Sequence, residues 1–206
     1  MQDFLGYMFF SFIEGMAVFA LTLYLFRINM MEYFKPIILT NLFINVVSYF
    51  IREDSRFTNL SPIMNLAICV LFMALVVRTP LIWSMLIVLT GYMAFGFLQL
   101  TIIFFSFTPA KELQEAVWKA HIVQGVTGII GTAIGFAIYR LGYGFTFEFD
   151  KLRFKWERIL IGSVIIIFFI TVILALSSQS LFIILVVFAI AFVFFLLYSY
   201  WKDARE

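Results

Sequence analysis

Long apolar runs, separated by short polar breaks, are the feature of this sequence that most constrains its fold. Seven runs are candidate membrane-spanning helices, at residues 4–26, 34–51, 60–77, 81–107, 116–139, 159–176 and 181–200. A helix needs about 20 predominantly apolar residues to cross the hydrocarbon layer, and only 13% of this chain is charged. The sequence therefore predicts an all-α fold, a single polytopic membrane domain over residues 1–206 with about seven transmembrane helices.

The distribution of basic residues predicts the orientation of these helices. Alternating crossings place the larger group on the side of the C-terminus, namely Arg27, Lys35, Arg78, the basic loop 140–158 and the terminal tail. The opposite side receives Arg52, Arg56, Lys111 and Lys119. Because cytoplasmic loops carry the excess of Lys and Arg, we expect the N-terminus outside and the C-terminus inside. The first run has no basic flank or small-residue cleavage site, so we expect it to be retained.

Polar side chains inside the apolar runs are few, and their depths are informative. Five different runs carry them, as Glu14, Asn45, Asn65, Gln99, and the pair His121 and Gln124. At the rise of an α-helix, all six lie in the outer half of the membrane, with Glu14 deepest at about 15 Å. This distribution predicts either a polar pocket that opens outward or an internal layer of hydrogen bonds.

Two interpretations of this polar layer compete. Hydrogen bonds between helices are a common source of cohesion in membrane bundles, so the layer can be purely structural. Alternatively, Glu14 lines a ligand or ion site together with Asn45, Asn65, Gln99, His121 and Gln124. An ionisable residue near the bilayer centre is costly and therefore a functional candidate. Glu14 is thus the first residue to test, with His121 as a candidate partner.

The fifth run carries a face of small residues. Gly125, Gly128, Gly131 and Gly135 fall with His121 and Gln124 within an arc of about 120° on a helix. The spacing of Gly131 and Gly135 is typical of close helix packing, because small residues let two helix backbones approach each other. We therefore expect the glycine face to meet the bundle.

The loop after the fifth run alternates aromatic and polar residues. Residues 144–157 predict a short cytoplasmic β-hairpin, because one face of the paired strands would be aromatic and the other polar. The aromatic face carries Phe145, Phe147, Phe149, Phe154 and Trp156. We expect it to rest on the membrane interface or on the inner surface of the bundle; the alternative is a docking site for a partner subunit.

Catalytic chemistry is not indicated by any motif. One histidine and one cysteine cannot form a conventional zinc site, and a Cys69–His121 nucleophile pair would lack an orienting third group. Nucleophile-elbow, zinc-protease and phosphate-loop motifs do not occur in the sequence. We therefore predict no enzyme, no metal and no cofactor. The net charge of +2 gives no reason to expect nucleic acid; the expected partners are the lipid bilayer and a protein partner or a second copy.

Several short stretches resemble a group of small polytopic membrane proteins from Gram-positive bacteria, whose functions are largely unassigned. They are FIEGMAVF at 12–19, LFRI at 25–28, SYFIR at 48–52 and GFTF at 144–147. The general build is also similar to the membrane sensor domains of histidine kinases of the accessory-gene-regulator type. This resemblance implies a multi-helix domain in the bacterial cytoplasmic membrane that binds a ligand from outside.

The sequence departs from those kinases after Trp201, where six residues complete it without a dimerisation helix or a kinase domain. We therefore expect a sensor-like or accessory membrane subunit that acts through a partner protein. One alternative is a small transporter or substrate-binding component, in which Glu14 and His121 handle a proton or a polar substrate. Another is a structural subunit of a larger membrane complex.

Overall fold

Five long or medium-length helices make up most of what the structure describes. The computed structural model describes residues 2–53, 61–105 and 117–145, together with residues 186, 189, 190 and 193. The helices are α1 Gln2–Tyr24, α2 Phe34–Glu53, α3 Ser61–Phe72, α4 Leu81–Phe105 and α5 Val117–Arg140. A 3₁₀ turn, Met30–Tyr33, precedes α2, and a π-helical turn, Met73–Val77, extends α3. Within these ranges every regular element is helical, as predicted.

Four helical segments are long and apolar enough to cross a membrane. They are Phe4–Tyr24, Met30–Ile51, Leu81–Phe105 and Trp118–Arg140. The predicted run 60–77 forms a shorter apolar helix, Ser61–Val77, which is about 26 Å long against a hydrocarbon core of about 30 Å. The protein is therefore a helical membrane protein. The predicted spans 159–176 and 181–200 lie outside the residues that the structure describes, apart from four scattered positions.

Helix α1 is the central element, and its contacts define the direction of its neighbours. Contacts between α1 and α2 pair Phe12 with Asn41 and Phe4 with Tyr49, so these helices are antiparallel. Glu14 meets Gln99 while Thr22 meets Gly91, so α4 also runs against α1. Phe10 meets Gly125 while Ala20 meets Gly135, so α5 runs parallel to α1. This alternation is what successive crossings of a membrane require.

A tight turn joins the π-helical turn to α4 and sets these elements side by side. Arg78 adopts a left-handed conformation with φ 65°, which ends the helix. The backbone N–H and the hydroxyl of Thr79 both donate to the carbonyl oxygen of Met73, at 3.2 and 3.1 Å. The Ser84 hydroxyl lies 2.7 Å from that of Thr79. These bonds satisfy polar groups at the helix ends, which are costly to leave unpaired in a membrane.

The start of the predicted hairpin folds back on the end of α1. The backbone N–H of Phe145 donates to the Leu25 carbonyl oxygen at 2.9 Å, and the Arg27 guanidinium donates to the Gly142 carbonyl oxygen. The Phe145 ring packs against Phe26, with a centroid separation of 5.4 Å. Phe145 therefore rests on the bundle itself. The rest of the predicted hairpin, residues 146–157 with Phe147, Phe149, Phe154 and Trp156, lies outside the described residues.

Candidate ligand-binding cavity

A cavity of about 280 Å³ lies among α1, α2, α3 and α4. Four of the polar residues selected from the sequence line it, one from each helix: Glu14, Asn45, Asn65 and Gln99. Their convergence follows from the antiparallel packing, which brings the N-terminal part of α1 level with the C-terminal parts of α2 and α4. The cavity therefore lies toward the end of the bundle where α1 begins.

The α1 wall of the cavity is a stripe of residues at helical spacing. Tyr7, Ser11, Glu14 and Val18 follow one another at intervals of three or four positions and all line the cavity. Such intervals place side chains on the same face of a helix. Glu14 is half-buried there, and its Oε1 accepts a hydrogen bond of 3.0 Å from Nε2 of Gln99. This bond joins α1 to α4 across the cavity.

The α2 and α3 walls are joined by a second polar contact. The Ser48 hydroxyl donates to Oδ1 of Asn65 at 2.7 Å. Ser48 is buried, and both side chains line the cavity. The sequence-based selection missed Ser48, although it lies three positions after Asn45, on the same face of α2.

Asn41 and Asn45, one turn apart on α2, are both buried in the cavity wall but have different surroundings. Nδ2 of Asn41 donates to the Phe12 carbonyl oxygen at 2.9 Å, while its Oδ1 packs against Gly15, where a Cβ atom would come within 2.0 Å of it. Asn45 is only 5% exposed, and its Nδ2 has no hydrogen-bond acceptor. A buried donor without a partner costs about 1–3 kcal/mol. Asn45 thus holds a donor that a bound molecule could satisfy.

The α3–α4 wall contains the single cysteine of the chain. Cys69 is buried, and its Sγ lies 3.5 Å from the hydroxyl of Tyr92. His121 lies elsewhere, stacked on Phe10 with a centroid separation of 4.9 Å and an interplanar angle of 13°. The structure therefore does not bring Cys69 and His121 together as a nucleophile pair.

His121 and Gln124 lie on a different side of α1 from the cavity. His121 approaches Gly6, where a Cβ atom would come within 3.2 Å of the imidazole Cε1. The Oε1 atom of Gln124 is enclosed without a hydrogen-bond donor. Neither residue lines the cavity, so the six candidates form two groups rather than one. Their similar depth in the membrane was correctly read from the sequence positions, but depth does not specify direction around a helix.

The glycine face of α5 contacts α1 along most of its length. A Cβ atom on Gly125 or Gly135 would lie 3.3 Å from Phe10 or Ala20, and one on Gly131 would lie 3.1 Å from Ala17. Gly128 is the tightest of the four, since a Cβ atom there would come within 2.9 Å of the Ile13 carbonyl oxygen. The absence of side chains at these positions allows the two backbones to approach each other closely.

The electrostatic character of the cavity is set by one group. Among the described residues that line it, only Glu14 carries a formal charge when ionised. Aromatic rings from Tyr7, Phe19, Tyr92 and Phe95 form much of the remaining wall. In the part of the chain that the structure describes, no three His, Cys, Asp or Glu side chains are grouped as metal ligands. The cavity is thus suited to a small molecule with both polar and apolar parts.

Comparisons with known proteins do not assign this cavity. No protein-family model, no curated protein and no solved structure matches the chain. The resemblance to small polytopic proteins of Gram-positive bacteria and to kinase sensor domains stays a prediction. The function is therefore inferred from the geometry and chemistry of the cavity itself.

Proposed function

We propose that this protein is a sensor-like or accessory membrane subunit that binds a small polar molecule in the cavity and signals through a partner protein. The observation that carries the proposal is the convergence of Glu14, Asn45, Asn65 and Gln99, from four successive helices, on one cavity. A concave site with an apolar wall and a few converging polar groups is the usual form of a small-molecule site.

The proposed topology is a seven-helix bundle in a bacterial cytoplasmic membrane, with the N-terminus outside and the C-terminus in the cytoplasm. The alternating directions of α1 to α5 support it. Arg27, Arg78 and Arg140 all follow or end helices that run in the same direction as α1, which agrees with a cytoplasmic location for that end. In this orientation the cavity lies in the outer half of the membrane. A tag on the C-terminus that reacts from outside intact cells would contradict this topology.

A ligand in the cavity would contact four helices at once, which gives it a route to a partner. A bound molecule changes a conformational equilibrium by its differential affinity for the two states. Here it would favour the arrangement in which α1 to α4 all reach it. The partner would read the altered positions of these helices, and the proposed partner is a protein with a soluble output domain.

The test is purification of the full chain in lipid nanodiscs, followed by mass spectrometry of the proteins and small molecules that accompany it. We expect the wild-type protein to retain both a bound small molecule and a partner. Glu14→Gln, which preserves the shape of the side chain and removes its charge, should lose the small molecule but keep the partner. Glu32→Gln is the matched control, because Glu32 is exposed on the turn before α2 and does not line the cavity.

A structural subunit is the second candidate, and the hydrogen bonds between helices favour it. Glu14 with Gln99, Ser48 with Asn65, and Asn41 with the Phe12 carbonyl oxygen each connect two helices. Under this alternative, the Glu14→Gln variant should assemble normally and the wild-type cavity should hold no molecule. The transporter alternative loses one of its supports, because Glu14 and His121 lie on different sides of α1; flux that depends on Glu14 would still favour it.

A further inference from the structure

The chemistry of the cavity also indicates the class of molecule that it would take. Building on the proposed function, we infer that the ligand is a small organic ammonium cation that carries a neutral hydrogen-bond acceptor. The inference combines the charge at Glu14, the aromatic wall and the unpartnered donor of Asn45. Each of these observations excludes a different class of ligand.

The charge at Glu14 selects for a cation. The described lining residues include no Lys, Arg or His to balance this carboxylate. An anionic ligand would therefore meet a like charge in a site of low dielectric constant, where such repulsion is strong. A cation would instead compensate the carboxylate, which is itself costly at this depth.

The size and aromatic wall of the cavity select for an organic cation rather than a metal ion. A volume of about 280 Å³ far exceeds the roughly 30 Å³ that one water molecule occupies in the liquid. The rings of Tyr7, Phe19, Tyr92 and Phe95 would contact the carbon atoms of the ligand. Aromatic faces also attract ammonium groups, by about 0.5–2 kcal/mol.

The buried amide of Asn45 requires an acceptor on the same molecule. Its Nδ2 is a donor without a partner in a side chain that is 5% exposed. The second unpartnered atom, Oδ1 of Asn41, packs against Gly15, so we assign it to the contact between α1 and α2 and not to the ligand. A hydroxyl or carbonyl oxygen would satisfy Asn45 without adding a negative charge.

The experiment is calorimetric titration of the full chain in nanodiscs, in an amine-free buffer at neutral pH. Ethanolamine serves as the probe with both features, ethylamine lacks the acceptor, ethylene glycol lacks the charge, and glycolate reverses it. We expect ethanolamine to bind about tenfold more tightly than ethylamine, the effect of one hydrogen bond of about 1.4 kcal/mol. Ethylene glycol and glycolate should show no measurable binding.

Two variants separate the contributions of charge and acceptor. Glu14→Gln should abolish the binding of both amines, whereas Glu32→Gln should leave it unchanged. Asn45→Leu should reduce the preference for ethanolamine over ethylamine from about tenfold to about one, while ethylamine binding persists. Thermal unfolding of each variant in the same nanodiscs establishes that it is folded.

The outcomes distinguish this inference from the function on which it rests. If ethylene glycol or glycolate binds as tightly as ethanolamine and depends on Glu14, the ligand class is wrong while a ligand-binding function stands. An equal preference for ethanolamine in wild-type protein and Asn45→Leu would overturn the role of Asn45. If no probe binds and no small molecule accompanies the purified wild-type protein, both proposals fail.

Discussion

Two sides of helix α1 differ sharply in how they meet the rest of the bundle. One side packs against the glycine face of α5, where backbone atoms come close enough to exclude an added methyl group. The other side, with Glu14, Ser11 and Tyr7, lines a cavity of about 280 Å³. The first contact holds two helices together through close packing, and the second leaves room between four helices.

This difference separates cohesion from binding within one helix. Lipid tails are as apolar as leucine side chains, so burial of apolar surface alone does not drive helices together; close packing and hydrogen bonds do. The α5 side provides close packing through small residues. The cavity side has polar groups, including the unpartnered Asn45, that close packing would have eliminated. We therefore expect substitutions on the α5 side to change stability, and those at Asn45 to change binding.

Gly128→Ala should produce the largest loss of stability. The new Cβ atom would lie 2.9 Å from the Ile13 carbonyl oxygen and 2.7 Å from Ile13 Cγ2, so the backbones of α1 and α5 must separate. Overpacking of this kind costs about 1–3 kcal/mol. The free energy of unfolding, measured by titration with a denaturing detergent in lipid micelles, should fall by about 2 kcal/mol.

Gly125→Ala is the matched control on the same face of α5. Its Cβ atom would lie 3.3 Å from the ring of Phe10, which is a side chain that can shift. The change should stay within about 1 kcal/mol, since alanine also favours the helix. Equal losses for the two variants would show that the α1–α5 contact is not limited by backbone approach at Gly128.

Gln99→Leu should produce the next largest effect. It removes the 3.0 Å hydrogen bond to Glu14 and leaves the carboxylate without this donor. A hydrogen bond to a charged group contributes about 1.5–3 kcal/mol, and the half-buried position of Glu14 favours the lower end. The free energy of unfolding should fall by about 1.5 kcal/mol in the same titration.

The double variant Glu14→Leu with Gln99→Leu tests the origin of that loss. Replacing both polar partners removes the uncompensated group together with the bond. The double variant should therefore be more stable than Gln99→Leu alone. If it is less stable, Glu14 contributes to the bundle through other contacts.

Asn41→Ala should have a smaller effect than Gln99→Leu. The substitution removes the 2.9 Å bond from Nδ2 to the Phe12 carbonyl oxygen. Hydrogen bonds between membrane helices contribute about 0.6 kcal/mol on average and about 1.7 at most. We expect the free energy of unfolding to fall by about 1 kcal/mol, with ligand binding retained.

Asn45→Leu should have the smallest effect on stability and should change it in the opposite direction. Removal of a buried donor without a partner relieves a desolvation cost, so the free energy of unfolding should rise by about 0.5 kcal/mol. Comparison with Asn41→Leu, at the same residue type one turn away, controls for the substitution itself. A loss of stability at Asn45 comparable to that at Asn41 would mean that the amide supports the bundle and is not reserved for a ligand.

The depth of the polar residues could be read from the sequence, but their directions could not. Glu14, Asn45, Asn65 and Gln99 were grouped correctly because helical rise fixes the depth of each. His121 was grouped with them for the same reason, yet it stacks on Phe10 on another side of α1. Asn41 and Ser48 were missed, although their spacing from Asn45 places them on the same helical face. Reading α2 by angular position as well as depth would have selected both.

The sequence by itself determined that this is a helical membrane protein, because uninterrupted apolar runs can satisfy their backbone hydrogen bonds in lipid as helices. It also determined the glycine face of α5, because residue spacing fixes which side chains share a face. The tertiary structure decided which partner each face meets: α1 lies against those glycines and separates His121 from the cavity that Glu14 lines. Such pairings depend on contacts between helices distant in the sequence, and no local pattern encodes them.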